Sequence, residues 1–408
     1  MDPVDVILNQ DKIIPYYKPI ISADTQLVTG YEVVAFFQKE DGSMQNLDWF
    51  FKDPSIPDEF LLEVMNHIIK QALHYYLNNE TEHALHLLFR YDGNILYKDR
   101  GENLINLLNS YHDKNINLNK IAIQLKDEFS YDQLQSVDKV FQYMKSYGLK
   151  IAFEDTGERN GNFERLAFLK PNIIKVDVGF LNDEDLPHLY QDVHHSLSLL
   201  ARKIGATLMF KGITSYNQLN YAWRNGGRFY QGDFLHRSEP GYVSRDCCKD
   251  LLEQHFQQFI NYERKKVHAQ LALTNRIHQL FKTVLSSIDS KQNLDELTLA
   301  VGKKCSPFAF RVYVCNDQGL QVSADAVKRM DGTWELRQEE RMRNWSWRPF
   351  FFENIARMNI EKKGLLSDLY TDIEKNELIR TYSFPLSESL FIFIDIPYDF
   401  LFEQDGLL

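Results

Sequence analysis

The chain has 408 residues. An ordinary domain has ~150 residues and one barrel can occupy about 250, so two structural units fit this length best. Its 46 Lys and Arg against 57 Asp and Glu give a net charge of -11, which argues against a general binder of nucleic-acid polymers or membrane surfaces but leaves room for a local basic pocket. No apolar leader follows Met1 and no run approaches the ~18 apolar residues of a membrane span. We therefore expect a cytoplasmic protein without membrane contact.

The four cysteines are most simply reduced thiols. Cys247 and Cys248 are adjacent and too close for an easy mutual bridge. Cys305 and Cys315 lack the CxxC and His spacing of a zinc site. The cysteines therefore predict neither a disulfide framework nor a metal site.

Short β-branched and aliphatic runs alternate with amphipathic helical patterns from about residue 27 to 235. The predicted strands are 27–35, 84–90, 120–125, 150–153, 172–176, 206–210 and 228–230. The predicted helices include 58–77, 131–147, 186–204 and 216–224. This rhythm is typical of parallel strands joined by crossover helices, and their number indicates an α/β fold of the TIM-like (β/α) barrel type.

Polar residues lie at or near the ends of these predicted strands, where such barrels carry their reactive groups. They are Glu32, Arg90, Gln124, Glu154, Asp155, Lys175, Lys211 and Gln231. A Rossmann fold is the weaker alternative, because no GxGxxG follows the first strand.

The stretch 246–288 reads as a helical linker between a barrel domain at 1–245 and a third region at 289–408. Apolar residues recur at near-heptad spacing from Leu251 to Phe281. Two interpretations are equally supported: a coiled-coil dimer seam, or an amphipathic helix packed on its own domain.

The region 289–408 has an opening helix and later strands near 308–315, 333–336, 378–385 and 390–396. This pattern suggests an α+β module of the PAS-like or Cache-like kind. Aromatic walls with one aspartate and an arginine suit a small charged ligand, and the candidate contacts here are Trp345, Trp347, Arg348, Tyr370, Asp372 and Arg380. A core or dimer-interface role is the more common fate of such aromatic residues.

Six short motifs occur in an order that resembles the EAL domain, the cyclic di-GMP phosphodiesterase barrel. They are YKPI at 17–20, GYEVV at 30–34, EDTG at 154–157, IKVD at 174–177, KGI at 211–213 and QG at 231–232. The resemblance covers roughly residues 12 to 240 and rests on the order and spacing of the motifs together. It implies a phosphodiester-cleaving site with two Mg²⁺ or Mn²⁺ ions in oxygen ligands.

Four positions of the family pattern are retained. The resemblance assigns the motif glutamate to Glu32, the second half of the acidic pair to Asp155, the water-positioning lysine to Lys175 and the late glutamine to Gln231. At the other positions this sequence departs from the family pattern. Arg90 stands where the family has a metal-binding asparagine, Gln124 where it has a glutamate, and Phe36 where it has a phosphate-binding arginine. Lys211 and Thr214 replace two acids, whereas Asp127 and Glu154 are acids of a different length from those of the family.

Arg90 and Lys211 would repel the metals that the family uses. A divalent ion ~5 Å from one such cation, at an effective dielectric of about 20, is repelled by roughly 6 to 7 kcal/mol. We therefore expect no catalytic metal or other cofactor, no hydrolysis, and weak or absent binding of cyclic di-GMP. The expected role is that of an inactive EAL-like regulatory protein that acts through ligand or protein binding. Its resemblance to EAL domains, which pair through the barrel, also predicts a homodimer.

Three alternatives stay open. An error in strand register would turn Arg90 or Lys211 towards solvent. The cations Arg90, Lys175 and Lys211 could hold phosphate without metal, although salt bridges to Glu32, Glu154 and Asp155 are favoured because buried charges are usually paired. Finally, the chain could be a weak phosphodiesterase, with Mg²⁺ or Mn²⁺, or a cyclic di-GMP receptor in which the retained residues still serve.

Overall fold

The protein is described from a computed structural model, which defines residues 2–79, 85–111, 116–126, 129, 131–155, 163–179, 181, 188–288, 293–348 and 351–404. The side chains of residues 126, 131, 155, 188–192 and 402–404 lie outside this description. The chain divides into two compact units, Met1–Gln258 and Phe259–Leu408.

The first unit is built around one sheet. Its strands are β1 Ile13–Ser22, β2 Val28–Gln38, β3 Met44–Asn46, β4 His86–Arg90, β5 Ile121–Lys126, β6 Lys150–Asp155, β7 Ile173–Asp177, β8 Thr207–Lys211 and β9 Phe229–Tyr230. The order is β1-β9-β8-β7-β6-β5-β4-β2-β3, and an added pairing of β1 with β2 closes eight of the strands into a barrel. This confirms the TIM-like barrel predicted from the sequence.

The expectation that the barrel strands are parallel is wrong for β1. This strand runs antiparallel to both β2 and β9, and it was not among the predicted strands. It contains Pro15 and Pro19, which lie opposite Ala35 and Tyr31 of β2. Because proline has no backbone N–H to donate to a neighbouring strand, a segment with two prolines is not predicted as a strand from its sequence.

Helices follow the barrel strands along the chain. In the first unit they are α1 Pro3–Leu8, α2 Asp58–Asn78, α3 Gly93–Lys98, α4 Glu102–Asn109, α5 Leu134–Ser146, α6 Phe163–Leu169, α7 His188–Ile204 and α8 Tyr216–Arg224. An apolar layer contributed by several strands fills the sheet interior, formed by Ile20, Leu88, Ala122, Ala152 and Met209. Such a layer makes the barrel a packed core whose polar groups are confined to its rim.

The predicted helical stretch contains one 38-residue helix, α9 Lys249–Ser286. Several of its apolar positions are buried: Leu252, Phe256 and Phe259, and also Leu273, Ile277 and Phe281. In the first unit, the ring of Phe256 lies 6.0 Å from that of Tyr230. These buried positions agree with an amphipathic helix packed within the chain, whereas Val267 and Leu271 are exposed and the coiled-coil dimer seam stays a prediction. Among the described residues, no helix is both long and apolar enough to cross a membrane.

The second unit holds an antiparallel sheet flanked by helices. Its elements are α10 Leu294–Cys305, β10 Arg311–Asn316, β11 Asp325–Lys328, β12 Trp334–Arg337, α11 Phe351–Glu361, β13 Leu365–Leu366, β14 Tyr370–Thr371, β15 Leu378–Pro385, β16 Leu390–Pro397 and α12 Tyr398–Gln404. The sheet order is β12-β11-β10-β16-β15-β13, with β14 also paired to β15. These elements agree with the predicted α+β module, whereas its PAS-like or Cache-like identity and the predicted domain limits stay predictions.

Candidate functional site

The polar residues of the first unit gather at the carboxyl ends of the parallel strands. The register places Arg90 of β4 opposite Gln124 of β5, and Asp177 of β7 opposite Lys211 of β8. Glu154 of β6 lies opposite Lys175 of β7. Since these ends share one rim of the barrel, their side chains meet in one network.

Lys175 forms the buried half of this network. Its Nζ atom lies 2.8 Å from Glu32 Oε1 and donates to Gln124 Oε1 at 2.9 Å. Its side chain is 1% exposed. Burial would raise the pKa of Glu32, but the ammonium of Lys175 outweighs this and lowers it to about 2. Glu32 is therefore an ionised carboxylate paired with Lys175.

Glu154 is the centre of the network. One carboxylate oxygen, Oε1, lies 2.5 Å from Lys211 Nζ, and the other accepts from Gln124 Nε2 at 2.5 Å. Arg90 Nη2 is 3.8 Å from the same second oxygen. Burial raises the pKa of Glu154, but the surrounding cations, Lys175 and Lys211 foremost, lower it overall. Both oxygens are thus occupied by donors.

Two further carboxylates pair with the rim cations, and sequence reasoning missed both roles. Lys211 Nζ lies 2.9 Å from Asp177 Oδ2, and Arg90 Nη1 lies 3.1 Å from Asp48 Oδ1. Gly212 has φ +75°, and a Cβ there would lie 2.7 Å from Asp177 Oδ1, so glycine makes room for this carboxylate. The position of Asp177, at the end of a strand adjacent to that of Lys211, was a usable signal, whereas Asp48 follows the short strand β3 and carried none.

The remaining family positions lie around this network. Gln231 is buried and donates to the Lys18 carbonyl at 3.4 Å. Phe36 stacks on Tyr16 with ring centroids 4.2 Å apart, and Thr214 donates to Gln218 Oε1. Asp127 and the side chain of Asp155 lie outside the described residues.

The described contacts bear on two of the alternatives raised by the sequence. Arg90 and Lys211 both contact Glu154, so neither points away from the site as a register error would require. The three cations are held in salt bridges, as the favoured interpretation states, with Asp48 and Asp177 among the partners. Against Arg90, Lys175 and Lys211 stand four described carboxylates, those of Glu32, Asp48, Glu154 and Asp177.

The donors around Glu154 conflict with the two divalent ions of the family pattern. Both oxygens of this carboxylate already receive ammonium, guanidinium or amide donors, and a metal ion cannot share them without displacing those groups. Among the described residues, no three His, Cys, Asp or Glu side chains are grouped to hold a metal ion. A cleft lined by Glu32, Asp48, Arg90 and the apolar Phe51 opens beside the network.

Four of the six candidates in the second unit lie together. The Arg348 guanidinium is 4.2 Å from the Trp345 ring centroid and 5.6 Å from that of Tyr370. It is 6.0 Å from the ring centroid of Trp347, whose side chain is 65% exposed. Arg380 donates to the Ser367 carbonyl at 3.1 Å. The sixth candidate, Asp372, belongs to a separate ion cluster.

That cluster is centred on Arg311, a residue that sequence reasoning did not select. Its guanidinium contacts Asp372 through Nη2 and lies 2.6 Å from Asp395 and 3.2 Å from Glu374. Arg311, Asp372 and Asp395 are almost fully buried. The unit therefore carries an ion cluster on the face of its sheet.

Asp325 is a buried acid near this cluster, and its ionisation makes stability depend on pH. Burial raises its pKa to about 6, against about 3.9 in an unfolded chain. The folded form holds the proton of Asp325 more tightly than the unfolded chain does. The contribution of this group to the free energy of unfolding is therefore complete below about pH 4 and is lost as pH rises through 6. We expect Asp325→Asn, which keeps the acceptor for Gln321, to remove this dependence and to add up to about 3 kcal/mol at pH 8.

Urea unfolding of both proteins between pH 4 and pH 8 measures this difference, and the exposed Asp331→Asn serves as control. An unchanged pH dependence in the Asp325 variant contradicts the prediction.

Comparison with known proteins identifies the families of both regions. Residues 4–238 match the EAL domain family, and residues 242–408 match a domain described as an EAL-domain associated signalling protein domain. The first match covers more than half of the chain.

Individual relatives agree with these matches. The uncharacterized EAL-domain containing protein YkuI of Bacillus subtilis is 38% identical over 413 residues, covering 100% of both chains. Its crystal structure in complex with substrate c-di-GMP and calcium superposes with a TM-score of 0.94 over 100% of both chains. The probable cyclic di-GMP phosphodiesterase PdeA of Escherichia coli is 22% identical over 59% of this chain and 32% of its own length. The EAL domain of Xanthomonas citri FimX, solved with c-diGMP, is 17% identical with a TM-score of 0.51 over 59% of this chain and 94% of that one, and shows the fold alone. The barrel, the polar residues at its rim and these matches together show that the chain belongs to the EAL domain family.

Proposed function

We propose that this chain is an EAL protein that does not hydrolyse cyclic di-GMP and acts by binding a ligand or a protein partner in cyclic di-GMP signalling. The observation that carries the proposal is the environment of Glu154. Lys211, Gln124 and Arg90 approach its two oxygens from three different strands, β8, β5 and β4. A hydrolytic site needs those oxygens free for metal ions.

The electrostatic argument supports the same conclusion. To reach Glu154, a divalent ion must move Lys211, and the displaced ammonium still has Asp177 to hold it within the rim. Arg90 stays near through Asp48. Each retained cation then repels the ion by several kcal/mol at an effective dielectric of about 20. Loss of ligands and gain of positive charge act in the same direction.

Catalytic silence is the direct test. We expect purified protein, incubated with cyclic di-GMP and Mg²⁺ or Mn²⁺, to form no linear dinucleotide above background in a chromatographic assay. A known phosphodiesterase in the same buffer is the positive control. Turnover that disappears in Glu32→Ala would overturn the proposal and support a weak phosphodiesterase.

A cyclic di-GMP receptor is the second candidate, and one observation favours it: the full-length relative from Bacillus subtilis has been solved with c-di-GMP and calcium. Arg90 and Lys211 retain 26% and 22% side-chain exposure, so they can turn towards a phosphate. The absence of an arginine at Phe36 argues for weak binding. Calorimetric titration of the protein with cyclic di-GMP, once with calcium present and once with chelator, distinguishes a receptor from a protein that does not bind the nucleotide. Saturable binding at low micromolar concentration in the presence of chelator, lost in Lys211→Glu, would establish a metal-free receptor.

For the second unit we propose a PAS-like or Cache-like sensor role, with Trp345, Arg348 and Tyr370 as the ligand contacts. The support is the position of the guanidinium of Arg348 over three aromatic rings, those of Trp345, Trp347 and Tyr370. An arginine in such a setting can bind an anionic group while the rings contact its apolar part.

We also propose a homodimer, and the middle of α9 offers a surface for it. Val267 and Leu271 are one helical turn apart and are 53% and 57% exposed. Light scattering should give twice the chain mass of 48.0 kDa. Val267→Asp with Leu271→Asp should return it to one chain mass if the seam lies here, whereas the exposed change Tyr143→Asp on α5 should not. A single chain mass for the unaltered protein at tens of micromolar contradicts the dimer.

A further inference from the structure

Two adjacent thiols precede the long helix and differ sharply in exposure. Cys247 is exposed, whereas Cys248 is 2% exposed. The Cys248 thiol donates to the Leu235 carbonyl at 3.4 Å, and its backbone carbonyl accepts the Leu252 amide of the first turn of α9 at 2.9 Å. The pair is thus fixed between the end of the barrel and the start of the helix.

The two sulfurs are also close enough to influence each other. They lie 3.5 Å apart, and the one hydrogen of the Cys248 thiol is shared between the Cys247 sulfur and the Leu235 carbonyl oxygen. The hydrogen bond between the sulfurs, against the opposing effect of burial and with help from His236, lowers the pKa of Cys247 to about 7. The same bond and burial raise the pKa of Cys248. At neutral pH the exposed Cys247 is therefore partly a thiolate and stands beside a protonated thiol, the arrangement that favours attack by one sulfur and resolution by the other.

We propose that Cys247 and Cys248 form a reversible two-electron redox site that hydroperoxides oxidise to a bridge between the two sulfurs. The Cys247 thiolate attacks a peroxide oxygen, the O–O bond breaks, and hydroxide leaves and takes up a proton to form water. The resulting sulfenic acid is attacked by Cys248 as that thiol loses its proton. The S–O bond breaks, the S–S bond forms, and hydroxide leaves as a second water. Two electrons have passed from the dithiol to hydrogen peroxide.

Adjacency limits the bridge without forbidding it. Neighbouring Cα atoms are about 3.8 Å apart, below the usual ~4.4–6.8 Å span of a disulfide, which is why the sequence argued against an easy bridge. Such a bridge is strained, and strain makes it easier to reduce. The product is therefore a labile oxidised state, which thiol reductants reverse, and not a structural crosslink.

The remaining cysteines are internal controls. Cys305 and Cys315 are fully buried, and burial raises the pKa of both thiols. We expect neither to react under native conditions. Any change confined to Cys247 and Cys248 can therefore be assigned by alkylation and peptide mass.

The test is limited hydrogen peroxide on the full chain, followed by intact mass. We expect the protein to lose the mass of two hydrogens and two of its alkylatable thiols, and dithiothreitol to restore both. Cys247→Ser should show no change at the same dose. Cys248→Ser, which keeps a donor for the Leu235 carbonyl, should instead gain one oxygen that a sulfenic-acid reagent captures.

Two results would overturn the proposal. One is a gain of oxygen without loss of hydrogen in the unaltered chain, which means that Cys247 reacts as a single thiol. The other is a covalent dimer on non-reducing electrophoresis in place of an intramolecular bridge. A trivalent organoarsenical, which links two neighbouring thiols without oxidation, gives an independent measurement. It should bind the unaltered chain once and neither serine variant, and equal binding to all three would reject the paired site.

Discussion

Lys211→Glu should make the stability of the protein depend on divalent ions, a dependence that we do not expect of the unaltered chain. The change removes the ammonium that lies 2.5 Å from Glu154 and places a third carboxylate beside Glu154 and Asp177. Without metal, we expect the free energy of unfolding to fall by roughly 3 kcal/mol, because a buried carboxylate loses its partner and gains a like charge. With Mn²⁺ at about 100 times its dissociation constant, about 2.7 kcal/mol should return.

Thermal unfolding with Mn²⁺ and with chelator measures this effect. Lys211→Gln is the matched control: it removes the cation without adding a ligand and should be destabilised in both conditions alike. Arg228→Glu, at an exposed pair with Asp24, should change little. If the unaltered chain itself gains stability from Mn²⁺, the natural rim binds metal and the proposed loss of the metal site is wrong.

Arg311→Met should be among the most damaging single changes in the second unit. It leaves Asp372 and Asp395, which are 3% and 0% exposed, without their common cation. Breaking a buried ion cluster by removing one partner costs about 3–5 kcal/mol. We expect a loss of this size in urea unfolding followed by tryptophan fluorescence. The loss should shrink at low pH, because the freed carboxylates can then take up protons.

Two comparisons make the Arg311 experiment specific. Arg329→Met removes a cation from an exposed pair with Glu335 and should change stability little. Replacing Arg311 by Met together with Asp372→Asn and Asp395→Asn removes all three buried charges and should recover most of the loss. A loss below about 1 kcal/mol for Arg311→Met alone would mean that water reaches the two carboxylates and that they need no partner.

The barrel was predictable because its signals are local. The periodicity around 84–90, 150–153 and 206–210 coincides with β4, β6 and β8 to within a few residues. Parallel strands bring their carboxyl ends to one rim, so the meeting of Glu154, Lys175 and Lys211 also followed from the sequence. The strand β1 did not, because its two prolines conceal an antiparallel partner that lies far along the chain.

The partners of the rim cations show where sequence reasoning ends. The conclusion that Arg90 must be paired was sound, since a partly buried cation needs a counter-charge. That the partner is Asp48 depends on the path of the chain after β3, which residue types alone do not define. In the second unit, the Arg311 cluster joins residues from three distant segments, and no local pattern marks such a meeting.

The antiparallel β1 has a consequence for how the protein is made. Its partner β9 begins at Phe229, roughly 200 residues after Ser22 leaves the ribosome. At about 5–20 residues per second, this wait lasts on the order of 10 to 40 s. Throughout it the edge of β1 that faces away from β2 has no neighbour, and an unpaired strand edge is a site for association with other chains. Synthesis of β9 therefore ends the period in which the nascent barrel is exposed to misassembly.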